Sequence, residues 1–556
     1  MQTQSAKLTG SSPRKGLLRL LCLGLLFLLP LAVIAQVDQG GITGVVTDSS
    51  GAAIPGAQVT LKDAGTGLVQ TQQSNGSGIF NFSPIKIGKY SVSATAQGFA
   101  TVSRENVQVN IQQRVNVTLA LPTGSVTENI VVETAPPLLE TQTSSIGQVF
   151  DTKAINETPL NGRNWVYIAQ LTAGVAPPPS GATRGAGKGD FIANGQRAEQ
   201  NNFILDGVDN NTNLVDFLNG SSYVQRPPPD ALAAFSIQTN SYSAEFGHSA
   251  GAVLVASIKS GTNQVHGSGW EYFRSDKLNA QDWTALTIPR FHEHQFGATL
   301  GFPVIKNKMF FFGDVEANRV NNANPGTYTV PTALMRQGNF SELLNPNLTG
   351  QSQPRTLYQL GSAGTVLQTY NGQQNVLNPA QINKVAVNLL NLFSLPNTNG
   401  GNTYNNYNVN VRKADNTFQW DTRLDYNISA TDQLYGRFSY NHELIQQTLP
   451  FGTTLDGSGY GGYRQSLLAE NGMISETHVF GPKTVNEFRA GYNWGQFNFL
   501  QNNFDNTTLA GQLGLGNVPF SPFQGGLPQF NVSGISTFGT QGTSDESQNV
   551  TRFWIT

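Results

Sequence analysis

Asp206-Gly207-Val208-Asp209-Asn210-Asn211 sets two carboxylates and two amides close together, oxygen donors of the kind a calcium loop uses. The glutamate that closes an EF-hand loop at its twelfth position is missing, which weakens the calcium reading. His292-Glu293-His294 aims two imidazoles to one side of a strand, yet no third ligand accompanies them, and solvent-facing residues beside a hairpin explain them as well. Gly185-Ala186-Gly187-Lys188-Gly189 has glycines and a lysine but neither the spacing nor the following hydroxyl of a phosphate-binding loop, so it reads as a flexible loop. There is no Gly-x-Ser-x-Gly elbow, and the six histidines lie apart from any nucleophile pattern. Among 35 acidic residues carboxylate pairs mean nothing without geometry. No catalytic, cofactor or metal site is expected, and the chain does not read as an enzyme.

The elements that hold these residues are strands. In 419–428 Trp420, Leu424, Tyr426 and Ile428 alternate with Asp421, Arg423, Asp425 and Asn427, so one face can meet lipid while the other faces a wet lumen. That two-residue rhythm recurs through the second half and is the pattern of a membrane β-barrel. Charged residues are 12% of the 556, against about 25% in ordinary soluble domains, and the net charge of −2 gives no basic footprint for nucleic acid. Apart from residues 17–35 no apolar run is long enough for a membrane helix. That segment follows Arg14 and Lys15 and ends Val33-Ile34-Ala35, the form of a signal peptide (1–35), with an uncleaved anchor as the alternative. Cys22, the single cysteine, lies inside it, so the mature chain is held by burial and strand pairing without disulfides.

Short alternating runs with turn signals fill 37–121: Ile42 to Asp48, Ala57 to Leu61, Gly78 to Phe82, Lys89 to Ala94 and Val115 to Leu119, the spacing of a small β-sandwich. With Gly44-Val45-Val46-Thr47-Asp48, Ile54-Pro55-Gly56-Ala57, Gly78-Ile79-Phe80 and Gly88-Lys89-Tyr90 in order, the segment resembles the carboxypeptidase regulatory-like (transthyretin-like) domain. A Thr/Pro-rich linker, 122–143, leads to a loop-rich α+β segment, 144–263. There Thr158-Pro159-Leu160-Asn161-Gly162-Arg163-Asn164, Phe203-Ile204-Leu205-Asp206-Gly207-Val208-Asp209 and 251–263 resemble the plug of TonB-dependent outer-membrane receptors, closest to the Oar-like branch. The resemblance makes the Asp206 segment a structural plug turn.

From residue 264 to 556 hairpins are expected at 295–302 with 309–317, 417–428 with 434–440, and 469–479 with 485–494, with long outer connections over 318–416 and 498–548. Trp270, Tyr272, Trp420, Tyr426, Tyr440, Tyr492 and Trp494 are candidates for the interfacial aromatic girdles. A plugged transporter has about 22 strands, more than 264–556 can supply, so the barrel is expected to be incomplete and the chain a C-terminally truncated fragment. The fold class is therefore mainly β: a transthyretin-like sandwich, an α+β plug and part of a transmembrane antiparallel barrel.

The resemblance implies a receptor in the outer membrane, with lipid around the barrel and the sandwich in the periplasm. It would admit a small molecule, glycan or peptide past its plug when a TonB-type protein supplies energy. Within Thr127-Glu128-Asn129-Ile130-Val131-Val132-Glu133, Glu128, Ile130, Val131 and Val132 loosely match the TonB box, a strand-adding segment; a plug or linker strand is the alternative. Asn194, Gln196, Arg197, Asn201 and Asn202 are candidate ligand-facing residues of a plug loop, offering amides and charge to a solute. The rival function is surface adhesion or assembly, in which sandwich and loops bind a macromolecule without transport.

Overall fold

The computed structural model describes residues 39–124, 129–133, 145–178, 189–212, 222–247, 249–281, 283, 288–361, 364–398, 400–455, 463–481, 484–501, 503–516, 518, 525–539 and 546–555. The leader with Cys22, the Thr127-Glu128 pair and Gly185 to Lys188 lie outside these residues. Among them no helix is long and apolar enough to cross a membrane.

Eight strands build the first unit: β1 (Gly40–Asp48), β2 (Gln58–Asp63), β3 (Val69–Gln73), β4 (Ile79–Ile85), β5 (Gly88–Thr95), β6 (Thr101–Val109), β7 (Arg114–Leu121) and β8 (Asn129–Glu133). One sheet has the order β4-β1-β7 and the other β3-β2-β5-β6-β8. Strict alternation in β7 buries Val115, Val117, Leu119 and Leu121 and exposes Asn116, Thr118 and Ala120 between them. These meet Val59, Leu61, Val92 and Val102 of the opposing sheet in one apolar core, the burial expected when period-two faces stack. Gly44 is required where β1 runs parallel to β7, because a Cβ there would lie 1.9 Å from the Val117 carbonyl oxygen. Two strands escape sequence reading. β3 is a polar edge strand, and β6 is interrupted by Asn106 at φ +59 and by a register shift of its partner β5 between Tyr90 and Val92.

The second unit has strands β9 (Ile146–Asp151), β10 (Asn202–Leu205), β11 (Val208–Asp209), β12 (Leu232–Asn240) and β13 (Val253–Ile258), in sheet order β11-β10-β13-β12-β9. Helix α1 (Thr152–Glu157) follows β9, capped by the Asp151 carboxylate accepting from Ala154 N. Every residue of β13 is buried, as expected of a central strand covered on both faces: its side chains are apolar except for Ser257, which donates to Asp206. On one side lie Trp165, Phe191, Phe203 and Phe235, on the other Ile111, Ile204, Val255 and Phe246.

Eight antiparallel strands then follow in chain order: β14 (His266–Ser275), β15 (Phe291–Ile305), β16 (Met309–Tyr328), β17 (Tyr407–Asn427), β18 (Asp432–Gln447), β19 (Tyr463–Gly481), β20 (Thr484–Gln501) and β21 (Glu546–Ile555). The sheet curves around the second unit and stays open, with no pairing between β14 and β21 among the described residues. Phe296, Leu300, Val315, Leu424 and Ile474 stand exposed on its outer face, as the alternation predicts. Asp421, Arg423, Asp425 and Asn427 point inward but are buried rather than wet, because the second unit fills the space they face.

Strands β16, β17 and β20 run well past the expected ends, to Tyr328, from Tyr407 and to Gln501, since ladder pairing continues beyond the span lipid demands. The long connections also depart from the expectation of open loops. Val330, Leu389, Phe393, Phe451, Leu455, Leu509, Leu527 and Phe538 gather from three of them into one apolar core, with Phe393 edge-on to Phe451 and Phe538 at 5.0 Å each.

Candidate functional site

Asp206 occupies the turn between β10 and β11, where it takes φ +51 and Gly207 φ +76. The left-handed pair reverses the chain and turns the carboxylate, fully buried, toward the barrel wall. Inside its own unit it accepts from Ser257 Oγ at 2.8 Å and Ile258 N at 3.0 Å. From the wall Arg423 Nη1 donates to it at 3.3 Å, and Arg437 Nε lies 2.8 Å from Oδ2, off the line of a directed hydrogen bond, so that contact is charge attraction. Arg489 Nη1 donates to the Asp206 carbonyl at 3.3 Å, and the Arg489 guanidinium also pairs with Glu487. Arg423 forks onto Asp425 at 3.0 and 3.1 Å and lies 4.3 Å from the centre of the Tyr435 ring. Lys86, from the sandwich, completes the set at 2.8 Å from Asp425. Charges taken out of water cost several kcal/mol each unless paired, and here Asp206, Arg437, Arg423, Asp425 and Lys86 are paired across elements, while Arg489 pairs with Glu487 on its own strand.

A second set lies along the wall. Arg163 Nε donates to Glu316 at 3.1 Å, its guanidinium pairs with Asp230, and it lies 5.0 and 4.9 Å from the ring centres of Trp270 and Tyr272. Those two aromatics therefore face the plug, a correction to their assignment to the lipid girdle: register places Trp270 and Tyr272 opposite Gly297 and inward Gln295. Trp420 and Tyr440 stack at 5.9 Å on the outer face as expected. Asp209 holds Arg552 at 2.7 Å and accepts from Asn211 N at 2.9 Å. Burial pulls the Lys259 ammonium below its ordinary value, against the opposing pull of Asp230 and Asp314.

The carboxylates of the Asp206 turn are thus engaged by arginines and hydroxyl, the arrangement of a plug turn and not of a cation cage. His292 and His294 do not converge, since His292 lies 3.3 Å from Asp276 and His294 3.2 Å from Glu271. Among the described residues one group of three metal-type side chains converges, Asp432, Glu476 and His478 at the short-turn rim, with the His478 ring already paired to Asp432.

Of the candidate ligand residues, Asn201 and Asn202 are corrected. Asn201 is buried between Phe191 O (2.7 Å) and Ala252 N (2.9 Å), and Asn202 between Gly247 O (3.0 Å) and Asn211 Nδ2 (2.7 Å), so both brace the plug internally. Asn194 donates to Thr239 O at 2.8 Å, and Asn194, Gln196 and Arg197 remain exposed. Ile130, Val131 and Val132 lie in β8, paired parallel to β6 as the edge of a sandwich sheet; they form no strand of the plug, and Glu128 lies outside the described residues. Arg437, Arg489 and Lys86 went unnoticed in the sequence. The available signal was an arginine at inward positions of strands β17, β18 and β20, which demands an acid from whatever fills the lumen.

Two family models match the chain. Residues 257–556 match the outer membrane beta barrel domain family, and 41–122 match the carboxypeptidase regulatory-like domain. The TonB-dependent transporter Oar of Myxococcus xanthus is 24% identical over 296 residues, 50% of this chain and 26% of that protein's length. The siderophore receptor PirA of Acinetobacter baumannii overlays at TM-score 0.39 and 11% identity, over 74% of this chain and 44% of PirA. The ferric enterobactin receptor PfeA of Pseudomonas aeruginosa gives 0.37 and 10%, over 65% and 41%. With an outward apolar wall and the match over 257–556, more than half of its length, the chain belongs to the outer membrane beta barrel domain family, and it is similar to the TonB-dependent transporter Oar.

Proposed function

We propose that the chain forms part of a plugged receptor that admits an external solute when its plug moves. The carrying observation is how plug and wall meet. Their contact is carried mainly by charge pairs and hydrogen bonds around Asp206, Asp209 and Arg163, and the apolar contacts between them are small: Phe312 joins the main core of the plug, Val224 sits among Leu467, Ala469, Phe497 and Val550, and Val208 lies beside Tyr435 and Met473. A unit seated by polar groups can leave and be rehydrated without exposing a large apolar face, whereas a shared apolar core would resist it. The solute is a small molecule, glycan or peptide held by exposed plug residues such as Asn194, Gln196 and Arg197 and by the outer connections. A TonB-type protein adds a strand at Glu128 to Val132.

The test is uptake of labelled ferric siderophores, oligosaccharides and peptides by cells with and without a proton-motive force. Energy-dependent uptake of one class is expected, and Ile130→Pro with Val132→Pro should abolish it. Uptake unchanged by the prolines removes the proposed box; absence of energised uptake for every class defeats the reading. The packed outer lobe favours adhesion as a second reading, because its hairpin at 358–367 exposes Tyr358, Leu360 and Leu367. Cell attachment lost on deleting that hairpin, with uptake intact, would support it.

A further inference from the structure

The sandwich is bolted to the inner end of plug and wall. The segments after β4 and β6 place Ile87 and Ile111 against the lower face of the plug sheet, Ile111 fully buried among Ile204, Ala234, Val253 and Val255. Beside them Gln238 Nε2 donates to Gln112 Oε1 at 2.9 Å. Next to Ile87, Lys86 pairs with Asp425, Asp425 with Arg423, and Arg423 with Asp206, a line of charges crossing from sandwich through wall to plug. A cavity of about 40 Å³, bounded by Lys86, Ile87, Ser257, Arg423 and Tyr435, lies at this junction. The sandwich touches the rim again through Gln70 Nε2 to Ala430 O (3.3 Å), Asn263 Nδ2 to Thr66 O (2.7 Å) and Gln39 Nε2 to Glu487 (3.3 Å).

We propose that the sandwich is a latch: it holds the plug's periplasmic face shut, and its withdrawal weakens the plug's own seat. The two parts act differently. The isoleucines supply a solvent-excluding wedge, while Lys86 shares Asp425 with Arg423 and so helps fix the guanidinium that grips Asp206. Removing Lys86 leaves Asp425 to draw on Arg423 alone and loosens the grip on the plug. The latch rests on the plugged-receptor reading for its purpose, but its contacts can be tested without any solute.

The test uses the full-length chain in outer membranes. With Cys22 in the leader, a cysteine at Val149→Cys, a plug position packed against the Ile111 cluster, is the target for a maleimide supplied from the periplasmic side. Ile87→Ala with Ile111→Ala should raise its labelling rate at least tenfold; Lys86→Gln should raise it several-fold and Lys86→Arg restore it. A sandwich that stays protease-resistant while all these rates remain within twofold of the parent overturns the latch. Should the isoleucine variant lose its fold, the Lys86 pair decides by itself. A second arm ties Gln112→Cys to Gln238→Cys with a short cleavable bismaleimide. Uptake that stops on tying and returns on cleavage supports the latch, and uptake that persists through the tie overturns it. No uptake even in the untied parent defeats the transport reading, and the labelling rates then judge the latch.

Discussion

Asp206 is the residue on which most of the seat converges. Asp206→Asn keeps the turn and the shape but leaves Arg437 buried without its anion and Arg423 with Asp425 only. Breaking a buried pair in this way costs about 3–5 kcal/mol, so the variant plug should be cut by protease at concentrations that leave the parent intact while the barrel persists; equal resistance would show that the seat lies elsewhere. Charge on the sandwich surface behaves differently. Hydrogen bonds from the Ser50 hydroxyl and from Ala52 N hold the Asp48 carboxyl below its ordinary 3.8. A carboxylate with a lowered folded pKa stabilises above its unfolded value and loses that contribution as pH falls through the folded one. Asp48→Ala should therefore lower the sandwich melting temperature at pH 7, and the gap to the parent should close as pH drops below 3.8 and on through the folded pKa. A gap that persists at the acid end would assign the effect to lost packing. The sequence displayed Asp206 and its neighbours as a charged turn, yet its arginine partners lie more than 200 residues away on strands whose inward faces become a site only when a plug occupies them.

At the scale of elements, period-two patterning located the strands best where one face was apolar and the other polar. It worked for β7 and for β15 to β20, and it failed for β3 and β6, where an edge position or a bulge breaks the rhythm. Trp270 and Tyr272 show the other gap: alternation says that two residues share a face but not which face, and Arg163 on the plug decides it. The outer connections read as polar loops because their apolar residues are spaced irregularly, and only folding brings Phe393, Phe451 and Phe538 together. Phe393→Ala should cost about 3–5 kcal/mol within that lobe. Its hydrogen-exchange protection should fall while strands β16 and β17 keep theirs, and uniform loss across the sheet would mean that the lobe and wall fold as one unit.

For the whole molecule, the three units meet at one end through buried charge pairs and the apolar packing of Ile87 and Ile111 on the plug, and diverge at the other, where the outer lobe stands on extended strands. Buried pairs are screened little by salt, whose Debye length falls to about 3 Å at 1 M. Raising ionic strength from 0.1 to 1 M should leave protection of plug strand β13 unchanged, and a plug released by salt alone would place its charges in water, against the burial of Arg489 and Asp206. By itself the sequence determined the strand rhythm, the outward apolar face, the order of sandwich, plug and wall, and the export signal as an expectation, because each follows from local chemistry repeated at a fixed period. Tertiary structure alone decided that the lumen face is dry, that Arg423, Arg437 and Arg489 converge on Asp206, and that Lys86 joins them. A buried charge chooses its partner by position in space, and position was set only when the curved sheet packed around the plug.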